Sequence, residues 1–413
     1  MPNPIKIAVV TEGFPRVSET FIITHIAALI EAGFDVTVFS TGYNKAEDIH
    51  ALFKEYNMKS ITQYRQNPHI GIKRYFQIPL LFLKNITHWR ILLKSFSPRF
   101  FGTYALRGYF FYDVLSFITE KKFDIIHSHF GPNASKVGFI RSLGLMKGKH
   151  ICTFHGHDVT NIKEIKSHYC YQHLKDDLSE AIFVVNYTKK LFAERVKYNY
   201  PLLINPVSIN TSEIESKSIY RKNIESPLHI VTAGRLIDCK GQIETTQVCI
   251  DLINEGYNIY YHLIGTGENK EIIIKLIRRA NCSARIILHD SQPHANLIEI
   301  VKTCDVHILF GRKDKNEIID AQGTVVQEAQ ATGTPVIVSN GGGLPEGMIA
   351  NQTGIVVPEN DTKALKDSIL FFYNNPDKIE KMGIEGRRFV EANYSNEVVY
   401  SRLFNIYKQV LNE

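Results

Sequence analysis

The chain has 413 residues, 44% of them hydrophobic and 22% charged, and its 48 basic and 42 acidic side chains give a net charge of +6. Because this length exceeds what one hydrophobic core usually serves, we expect two domains of roughly 200 residues each. The composition is typical of a soluble globular protein, and so small a net charge does not argue for nucleic acid as a partner.

The N-terminal segment MPNPIKIAVV predicts no signal peptide, because Thr11, Glu12 and Gly13 end its apolar run at once. No other segment offers about 20 uninterrupted apolar residues, as an ordinary spanning helix requires. The six cysteines are scattered without a C-x-x-C pair, which predicts reduced and mostly buried thiols. We therefore expect a cytoplasmic protein.

Short apolar strands alternate with helical patterns along the chain. The first strand, KIAVV, is followed by a helix that ends at Gly33 and by the strand DVTVFS. Later strands are DIIHSHF, HICTFHG and AIFVVN, and the pattern restarts at Leu228 with LHIVTAG, IYYHLIGTG, RIILHD, DVHILFG and PVIVSNGGG. This alternation predicts the α/β class, with two doubly wound parallel sheets that bind ligands beyond the carboxyl ends of their strands.

The segment 56–112 departs from this alternation. It contains no Asp or Glu but nine cations, namely Lys59, Arg65, Lys73, Arg74, Lys84, Arg90, Lys94, Arg99 and Arg107, and aromatic residues are interleaved with them. Cations attract anionic headgroups by about 1 kcal/mol each, and Trp and Tyr settle at the interface, so the segment predicts docking to an anionic membrane surface. The alternative is a helical insertion whose aromatic side chains are core residues. No nucleic-acid-binding module accompanies it, so nucleic acid is not an expected partner.

A polar stretch at 204–229 predicts the domain boundary. It carries Pro near both ends and shows little hydrophobic periodicity. We expect a first domain at 1–205 that includes the insertion 56–112, a linker at 206–228 and a second domain at 229–395.

The segment TAGRLIDCKG, from Thr232 to Gly241, predicts a phosphate-binding site at the end of a strand. Gly234 lets the backbone approach a ligand, and Arg235 and Lys240 supply two cations. Arg can fork two phosphate oxygens, while Lys acts as a point charge.

The Gly265-Thr266-Gly267 turn follows the next strand and opens a helix. The third glycine of the dinucleotide fingerprint is missing, since Lys270 stands in its place. We therefore expect a turn beside a bound nucleotide and not an NAD site.

Asp320 and Glu328 are eight positions apart, which is about 12 Å along one helix. They can share a small ligand only if Asp320 lies in a loop. Gly323 predicts such a loop, with a helix that begins near Thr324 and carries Glu328 in its first turns. Helix N-termini favour anions, so a phosphorylated ligand is expected there.

The D-x7-E spacing, the EAQATGTPVIVS that starts at Glu328 and the GGLPEG at 342–347 resemble the signature of the retaining glycosyltransferases of family 4. That family usually carries Glu where this chain has Asp320, so the carboxylate is kept but its reach is one methylene shorter. The resemblance implies the GT-B fold, in which two Rossmann-like domains face a central cleft and a final helix, here 396–413, returns to the first domain. The F-P-x-x-S-E-T-F pattern from Phe14 resembles a subgroup that builds surface polysaccharides.

The same resemblance implies roles for individual residues. The donor would be a nucleotide diphosphate sugar, with UDP or GDP as its carrier. Arg235 and Lys240 would hold the diphosphate, Glu328 would accept hydrogen bonds from the ribose hydroxyls, and Asp320 would lie nearer the sugar. His155 matches a histidine that touches the transferred sugar. The donor-binding set implied is Gly13, Gly234, Arg235, Lys240, Gly265, Gly267, Gln322, Gly323, Thr324 and Glu328, and the catalytic set is His155, Asp320, Arg235 and Lys240.

Neither a metal nor another cofactor is expected. His127, His129, His155 and His157 are close in sequence, but no Cys or acidic cluster completes a zinc set with them. Arg235 and Lys240 also make a metal less necessary for the leaving group. Because both assigned acids belong to the second domain and do not flank the scissile bond as in retaining glycosidases, front-face transfer without a covalent carboxylate is favoured.

The expected acceptor is a polysaccharide or a lipid-linked oligosaccharide of cell-surface glycan synthesis, made by an enzyme that would attach peripherally to the inner face of the membrane. One alternative is a nucleotide-sugar epimerase or sugar-phosphate synthase of the same fold, which would not need the basic aromatic segment. Another is a non-catalytic nucleotide-sugar-binding assembly protein. Asp320 in place of Glu favours this last alternative, as does INPVSIN at 204–210 where relatives commonly show a glycine turn before an acid.

Overall fold

The structure, a computed structural model, describes residues 4–16, 19–43, 50–65, 72–99, 105–118, 122–167, 171, 174–196, 202–315 and 317–412. By compactness the chain divides into two units. The first comprises the residues up to Phe183, Lys189–Ile204 and the residues from Arg402 onward. The second comprises Val184–Thr188 and Asn205–Ser401.

The first unit is built on a parallel sheet of seven strands in the order β3-β2-β1-β4-β5-β6-β7. The strands are β1 Lys6–Thr11, β2 Asp35–Ser40, β3 Thr62–Tyr64, β4 Lys122–His129, β5 Lys147–Phe154, β6 Leu178–Phe183 and β7 Leu202–Ile204. After its first residue, every position of β1 is buried, as is typical of a parallel strand with helices on both faces.

Helices connect these strands. They are Thr20–Glu31, Ala51–Glu55, Lys73–Lys84, Trp89–Lys94, Tyr109–Leu115, Gly131–Ser142, His157–Thr160, Ile162–Ser167 and Asn186–Val196, with a 3-10 turn at Ile86–His88. The helix Asn396–Asn412 closes the chain and contributes its residues from Arg402 onward to the first unit.

The second unit contains a parallel sheet of six strands in the order β10-β9-β8-β11-β12-β13. The strands are β8 Leu228–Ala233, β9 Ile259–Ile264, β10 Ile286–His289, β11 Val306–Leu309, β12 Val336–Ser339 and β13 Gly354–Val357. Its helices are Gln242–Asn254, Lys270–Arg279, His294–Thr303, Thr324–Ala331, Thr362–Asn374 and Pro376–Tyr394, with 3-10 turns at Asp238–Lys240 and Leu344–Gly347.

The prediction of two doubly wound α/β sheets is confirmed. In each sheet the strand order reverses once, between β1 and β4 and between β8 and β11, and such reversals are where ligands bind beyond the carboxyl ends of strands. The edge strands β3, β7 and β13 were not predicted, because three or four residues are too few to show a period.

The segment 206–228, expected as a linker, lies within the second unit. Ile209 and Ile214 are buried in a cluster with Val390 and Tyr394. The ammonium of Lys217 donates to the carbonyl of Cys304 at 2.6 Å. The polar sequence of 206–228 therefore includes buried cations, Lys217 and Arg221, that donate to backbone carbonyls. Hydrophobic periodicity does not detect such contacts.

The insertion 56–112 is only partly a core element. Phe110, Phe111 and Tyr112 are buried, as the core alternative requires. In contrast, the helix Lys73–Lys84 has no buried residue among its twelve, and Phe76 is 76% exposed. The described aromatic side chains of this segment are thus divided between interior and surface, and Phe100, Phe101 and Tyr104 lie outside the described residues.

Five of the six cysteines, Cys152, Cys239, Cys249, Cys282 and Cys304, are free and buried, as predicted. Cys170 lies outside the described residues.

Candidate functional site

In the second unit, the loop after β8 carries the two predicted phosphate-binding cations. Gly234 directly follows the strand with a φ of +138°, and an added Cβ would meet only Lys240 Cε, at 3.8 Å, so the space above this backbone is open. Arg235 is exposed, and its guanidinium has no hydrogen bond or ion pair with any described residue. Lys240 ends the 3-10 turn Asp238–Lys240. One of the two cations is thus available to an incoming anion.

Lys240 forms an ion pair with Asp320, 80 residues further along the chain. Its ammonium donates to Asp320 Oδ1 at 2.8 Å and lies 2.8 Å from Oδ2. The two side chains are only 13% and 17% exposed, so the pair is weakly screened by water. Asp320 Oδ2 is buried against that ammonium. Both oxygens of the carboxylate therefore lie beside Lys240, and the pair holds the lysine charge in place.

The predicted loop and helix around Gly323 are confirmed. The helix is Thr324–Ala331, and Asp320 lies in the loop before it. Gly323 is the N-cap residue with a φ of +64°, no side chain caps the helix and no acidic residue stands in its first turn. Its N-terminal N–H groups thus keep their partial positive charge for an anion.

Gln322 does not offer its side-chain amide to a ligand. Gln322 Oε1 accepts from Val207 N at 2.7 Å, and Gln322 Nε2 donates to Val207 O at 2.9 Å. The side chain is therefore committed to holding the backbone at Val207 beside the loop. Gly343 N donates to Asp320 O at 3.2 Å and holds the other side of the same loop.

Glu328 is the fifth residue of its helix and has a partner that the sequence did not suggest. His294 Nε2 lies 3.1 Å from Glu328 Oε1, while Glu328 itself is only 16% exposed. The hydrogen bond to Glu328 raises the pKa of His294 above its ordinary value. His294 begins the helix His294–Thr303, outside every motif, and no local pattern marks it.

Gly265 and Gly267 allow two loops to pack backbone against backbone. A Cβ on Gly265 would lie 2.1 Å from Gly234 O, and one on Gly267 would lie 2.3 Å from Leu236 O. Leu236 N donates to Thr266 O at 2.9 Å across this contact. These glycines thus fix the course of the loop that carries Arg235, and a direct contact with a nucleotide stays a prediction.

In the first unit, the predicted residues follow β1 and β5. Gly13, with a φ of +61°, donates its N–H to Thr41 Oγ1 at 3.2 Å. His155 follows β5 directly, and its ring lies 4.5 Å from that of Phe21 and 4.6 Å from that of Phe130. Its Nε2 lies 2.9 Å from His129 Nδ1, and its buried Nδ1 has no hydrogen-bond partner among the described residues. Burial lowers the pKa of His155 to about 3, so the ring is neutral near pH 7.

Across the described ranges, no group of three or more His, Cys, Asp or Glu side chains is arranged to hold a metal ion. Nor does any helix in that part of the chain have the length and apolar character needed to span a membrane.

Two family models match the chain. "Glycosyltransferase Family 4" matches residues 18–201, and "Glycosyl transferases group 1" matches residues 215–389. A glycosyltransferase assigned to colanic acid biosynthesis, WcaL of Escherichia coli (strain K12), is 25% identical over 409 residues, which cover 95% of this chain and 97% of that protein.

Two solved structures show the same architecture. A glycosyltransferase from Rickettsia africae ESF-5 superposes with a TM-score of 0.71 at 20% identity and covers 99% of both chains. Alr3699/HepE of Anabaena, solved in complex with UDP, gives a TM-score of 0.69 at 11% identity and covers 98% of this chain and 100% of that one. At these identities the likeness shows the fold alone, and it is the GT-B fold.

Proposed function

Since this chain belongs to glycosyltransferase family 4, we propose that it transfers one sugar from a UDP- or GDP-sugar to a polysaccharide or lipid-linked oligosaccharide of the cell surface, with retention of anomeric configuration. The single observation that carries the proposal lies in the second unit. There an exposed Arg235, the Lys240–Asp320 pair and a helix N-terminus without a side-chain cap all follow the strands β8 and β11, at the reversal of strand order.

These groups match the chemistry of a nucleotide diphosphate. Arg235 and Lys240 would hold the two phosphates, whose negative charge grows as the sugar departs. The N–H groups at Thr324 would add the partial charge of the helix terminus. Glu328 would accept hydrogen bonds from the ribose hydroxyls, and Asp320, which is paired with Lys240, would lie nearer the sugar.

Transfer proceeds at one face of the sugar. The bond between the anomeric carbon and the diphosphate oxygen breaks, and its electron pair stays on the phosphate. The acceptor hydroxyl oxygen bonds to the anomeric carbon, and its proton moves to the departing phosphate oxygen. Arg235 and Lys240 stabilise the diphosphate without a metal ion, and His155 contacts the transferred sugar. No carboxylate attacks the anomeric carbon, in contrast to retaining glycosidases.

Donor binding and turnover test this proposal directly. A thermal-shift screen with UDP, GDP, ADP and their sugars should raise the melting temperature with one carrier family, because a ligand that binds only the folded state stabilises it by mass action. NMR of the first-formed product should show the donor's anomeric configuration, and turnover should persist in a chelator. An inverted linkage, or activity abolished by the chelator, would remove the mechanism. Absence of turnover with every donor would favour a binding protein instead.

The acceptor side is proposed to work at an anionic membrane surface. Large apolar side chains lie exposed along the helices Lys73–Lys84 and Trp89–Lys94 and the turn between them; we call this set the apolar ridge, and it consists of Ile72, Tyr75, Phe76, Leu80, Leu83, Ile86, Trp89 and Leu93. Ile72, Phe76, Leu80 and Leu83 recur at helical spacing on one face. Lys73, Lys84, Arg90 and Lys94 flank the ridge, and no acid stands among them. An amphipathic surface with this charge favours the headgroup region of an anionic bilayer, the inner face of the cell membrane in this proposal.

We expect the double substitution Phe76→Glu and Leu80→Glu to weaken binding to vesicles containing anionic phosphatidylglycerol by about tenfold or more. It removes two apolar side chains that are 76% and 69% exposed and adds two negative charges to the protein, which the anionic vesicle surface repels. Vesicle cosedimentation measures the effect. Ile272→Glu, at a 48% exposed isoleucine on the helix Lys270–Arg279 of the second unit, is the matched control and should bind as the unmodified protein does. If the double variant binds the vesicles as well as the unmodified protein does, the apolar ridge does not contact the membrane.

A further inference from the structure

A continuous series of hydrogen bonds leads from His155 through the interior of the first unit. Its contacts are His155 Nε2 to His129 Nδ1 at 2.9 Å, His129 Nε2 to His25 Nδ1 at 2.9 Å, His25 Nε2 to Tyr407 Oη at 3.2 Å, Tyr407 Oη to His127 Nδ1 at 2.5 Å and His127 Nε2 to Thr153 Oγ1 at 2.8 Å. We call this series the histidine chain. It joins β4, the loop after β5, the helix Thr20–Glu31 and the final helix of the sequence.

The imidazoles of the histidine chain are neutral near pH 7. His25, His127 and His129 are at most 3% exposed. Burial lowers the pKa of His25 to about 3. The pKa values of His127 and His129 lie well below the ordinary value, mainly because of burial and to a smaller extent because of the neighbouring imidazoles. A neutral imidazole has one N–H donor and one bare nitrogen acceptor. The nitrogen that carries the proton in one ring therefore determines which nitrogen carries it in the next ring.

Tyr407 determines which nitrogens carry these protons. Its phenol has one proton, so it can donate to only one of its two imidazole neighbours. The contact with His127 Nδ1 is 2.5 Å, the length of a strong O–H donor bond, and the contact with His25 Nε2 is 3.2 Å, the length of an N–H bond to a weaker acceptor. These two lengths favour donation by Tyr407 to His127 and by His25 to Tyr407.

The consequence reaches His155 in two steps. With its proton on Nε2, His25 presents a bare Nδ1, which accepts from His129 Nε2. His129 then presents a bare Nδ1, which accepts from His155 Nε2. His155 Nδ1, which is buried and has no hydrogen-bond partner in the described part of the chain, is left as the bare nitrogen.

We propose that Tyr407, acting through His25 and His129, holds His155 in the Nε2–H tautomer, so that His155 Nδ1 accepts a hydrogen bond from a hydroxyl of the transferred sugar. This inference rests on the proposed function, in which His155 contacts that sugar. His155 is then a binding group, and Tyr407, His25 and His129 are positioning residues. Phe21 and Phe130 pack against the imidazole ring and fix its plane.

The tautomer can be read in the unliganded protein, without any assay of transfer. With ¹⁵N-labelled histidine, long-range ¹H–¹⁵N NMR distinguishes bare from protonated ring nitrogens, and loss of one signal set in His155→Asn assigns His155. We expect His155 Nδ1 to give the shift of a bare nitrogen and Nε2 that of a protonated one. A protonated Nδ1 in the unmodified protein would overturn the proposal, whatever the enzyme does with a donor.

Tyr407→Phe tests the proposed cause. It removes the hydroxyl and leaves the ring, so His25 is no longer required to carry its proton on Nε2. We expect the His155 Nδ1 shift to move toward an average of the two tautomers, and kcat/KM for the donor to fall about tenfold, mostly through a higher KM, as for the loss of one hydrogen bond to the ligand.

Tyr400→Phe is the matched control. It deletes a hydroxyl from the same helix, where Tyr400 bonds to Ser208 at 3.0 Å, and it should leave the His155 shifts unchanged. An unchanged His155 tautomer in Tyr407→Phe would overturn the proposal even if activity fell, because a purely structural role would lower activity without moving the proton. If no donor is turned over by the unmodified protein, the proposed function fails, while the NMR result still decides whether Tyr407 sets the tautomer.

Discussion

Lys240→Ala is expected to lower kcat/KM for the donor by about 10²- to 10³-fold, the usual cost of removing one group that stabilises developing charge. Lys240 and Arg235 are the two cations of the loop after β8, and only Lys240 is held in place by a partner, Asp320 at 2.8 Å. Its loss removes a positioned charge from the leaving group and leaves the Asp320 carboxylate, 17% exposed, without a counterion. Steady-state kinetics and calorimetric titration with the nucleoside diphosphate measure the effect.

Asp320→Asn distinguishes the two effects of Lys240→Ala, which are the loss of the lysine charge and the unpaired Asp320 carboxylate. In the unliganded protein Asp320 neutralises Lys240, so the amide should release the full lysine charge. We expect tighter binding of the nucleoside diphosphate but slower transfer.

Lys366→Ala is the control for Lys240→Ala and should leave nucleotide affinity unchanged. Lys366 also pairs with a carboxylate, that of Glu255, but lies on the helix Thr362–Asn374. Unchanged nucleotide affinity in Lys240→Ala would remove the phosphate assignment.

Glu328→Gln is expected to raise KM for the donor about 10- to 100-fold, because hydrogen bonds to a charged group contribute about 1.5–3 kcal/mol and each 1.4 kcal/mol is tenfold. The substitution keeps the size of the side chain and removes its charge, so the bonds from two ribose hydroxyls weaken. The value of kcat should change much less, since the ribose is bound equally before and during transfer.

His294 supplies a second measurement on the same variant. The hydrogen bond to Glu328 raises the pKa of His294, so protonated His294 stabilises the folded state below its ordinary pKa, and this contribution is lost as the pH rises through the raised value. In Glu328→Gln the pKa of His294, followed by NMR titration, should fall. Glu385→Gln, which alters a helical glutamate paired with Arg388 at 2.6 Å, should change neither KM nor that pKa. A normal KM together with a lowered His294 pKa would show that Glu328 does not bind the ribose.

The sequence was sufficient for the two parallel sheets except for three edge strands, and for the helix that begins at Thr324 after the loop of Asp320. The strands β1, β2, β4 to β6 and β8 to β12 each contain a short apolar stretch, since both faces of a parallel strand are covered, and such stretches are visible without any tertiary information. The start of the helix at Thr324 was likewise local, because Gly323 adopts a φ of +64° that other residues rarely accept.

The partners of the site residues were decided only by the tertiary structure. Lys240 and Asp320 are 80 residues apart, His294 and Glu328 are 34 apart, and Tyr407 meets His127 across 280 residues. No periodicity extends over such separations, because each pair depends on which loops follow neighbouring strands and on which helix packs behind them. A sequence pattern places a side chain on an element, but which charge or hydrogen-bond partner it meets is fixed only when distant elements pack together.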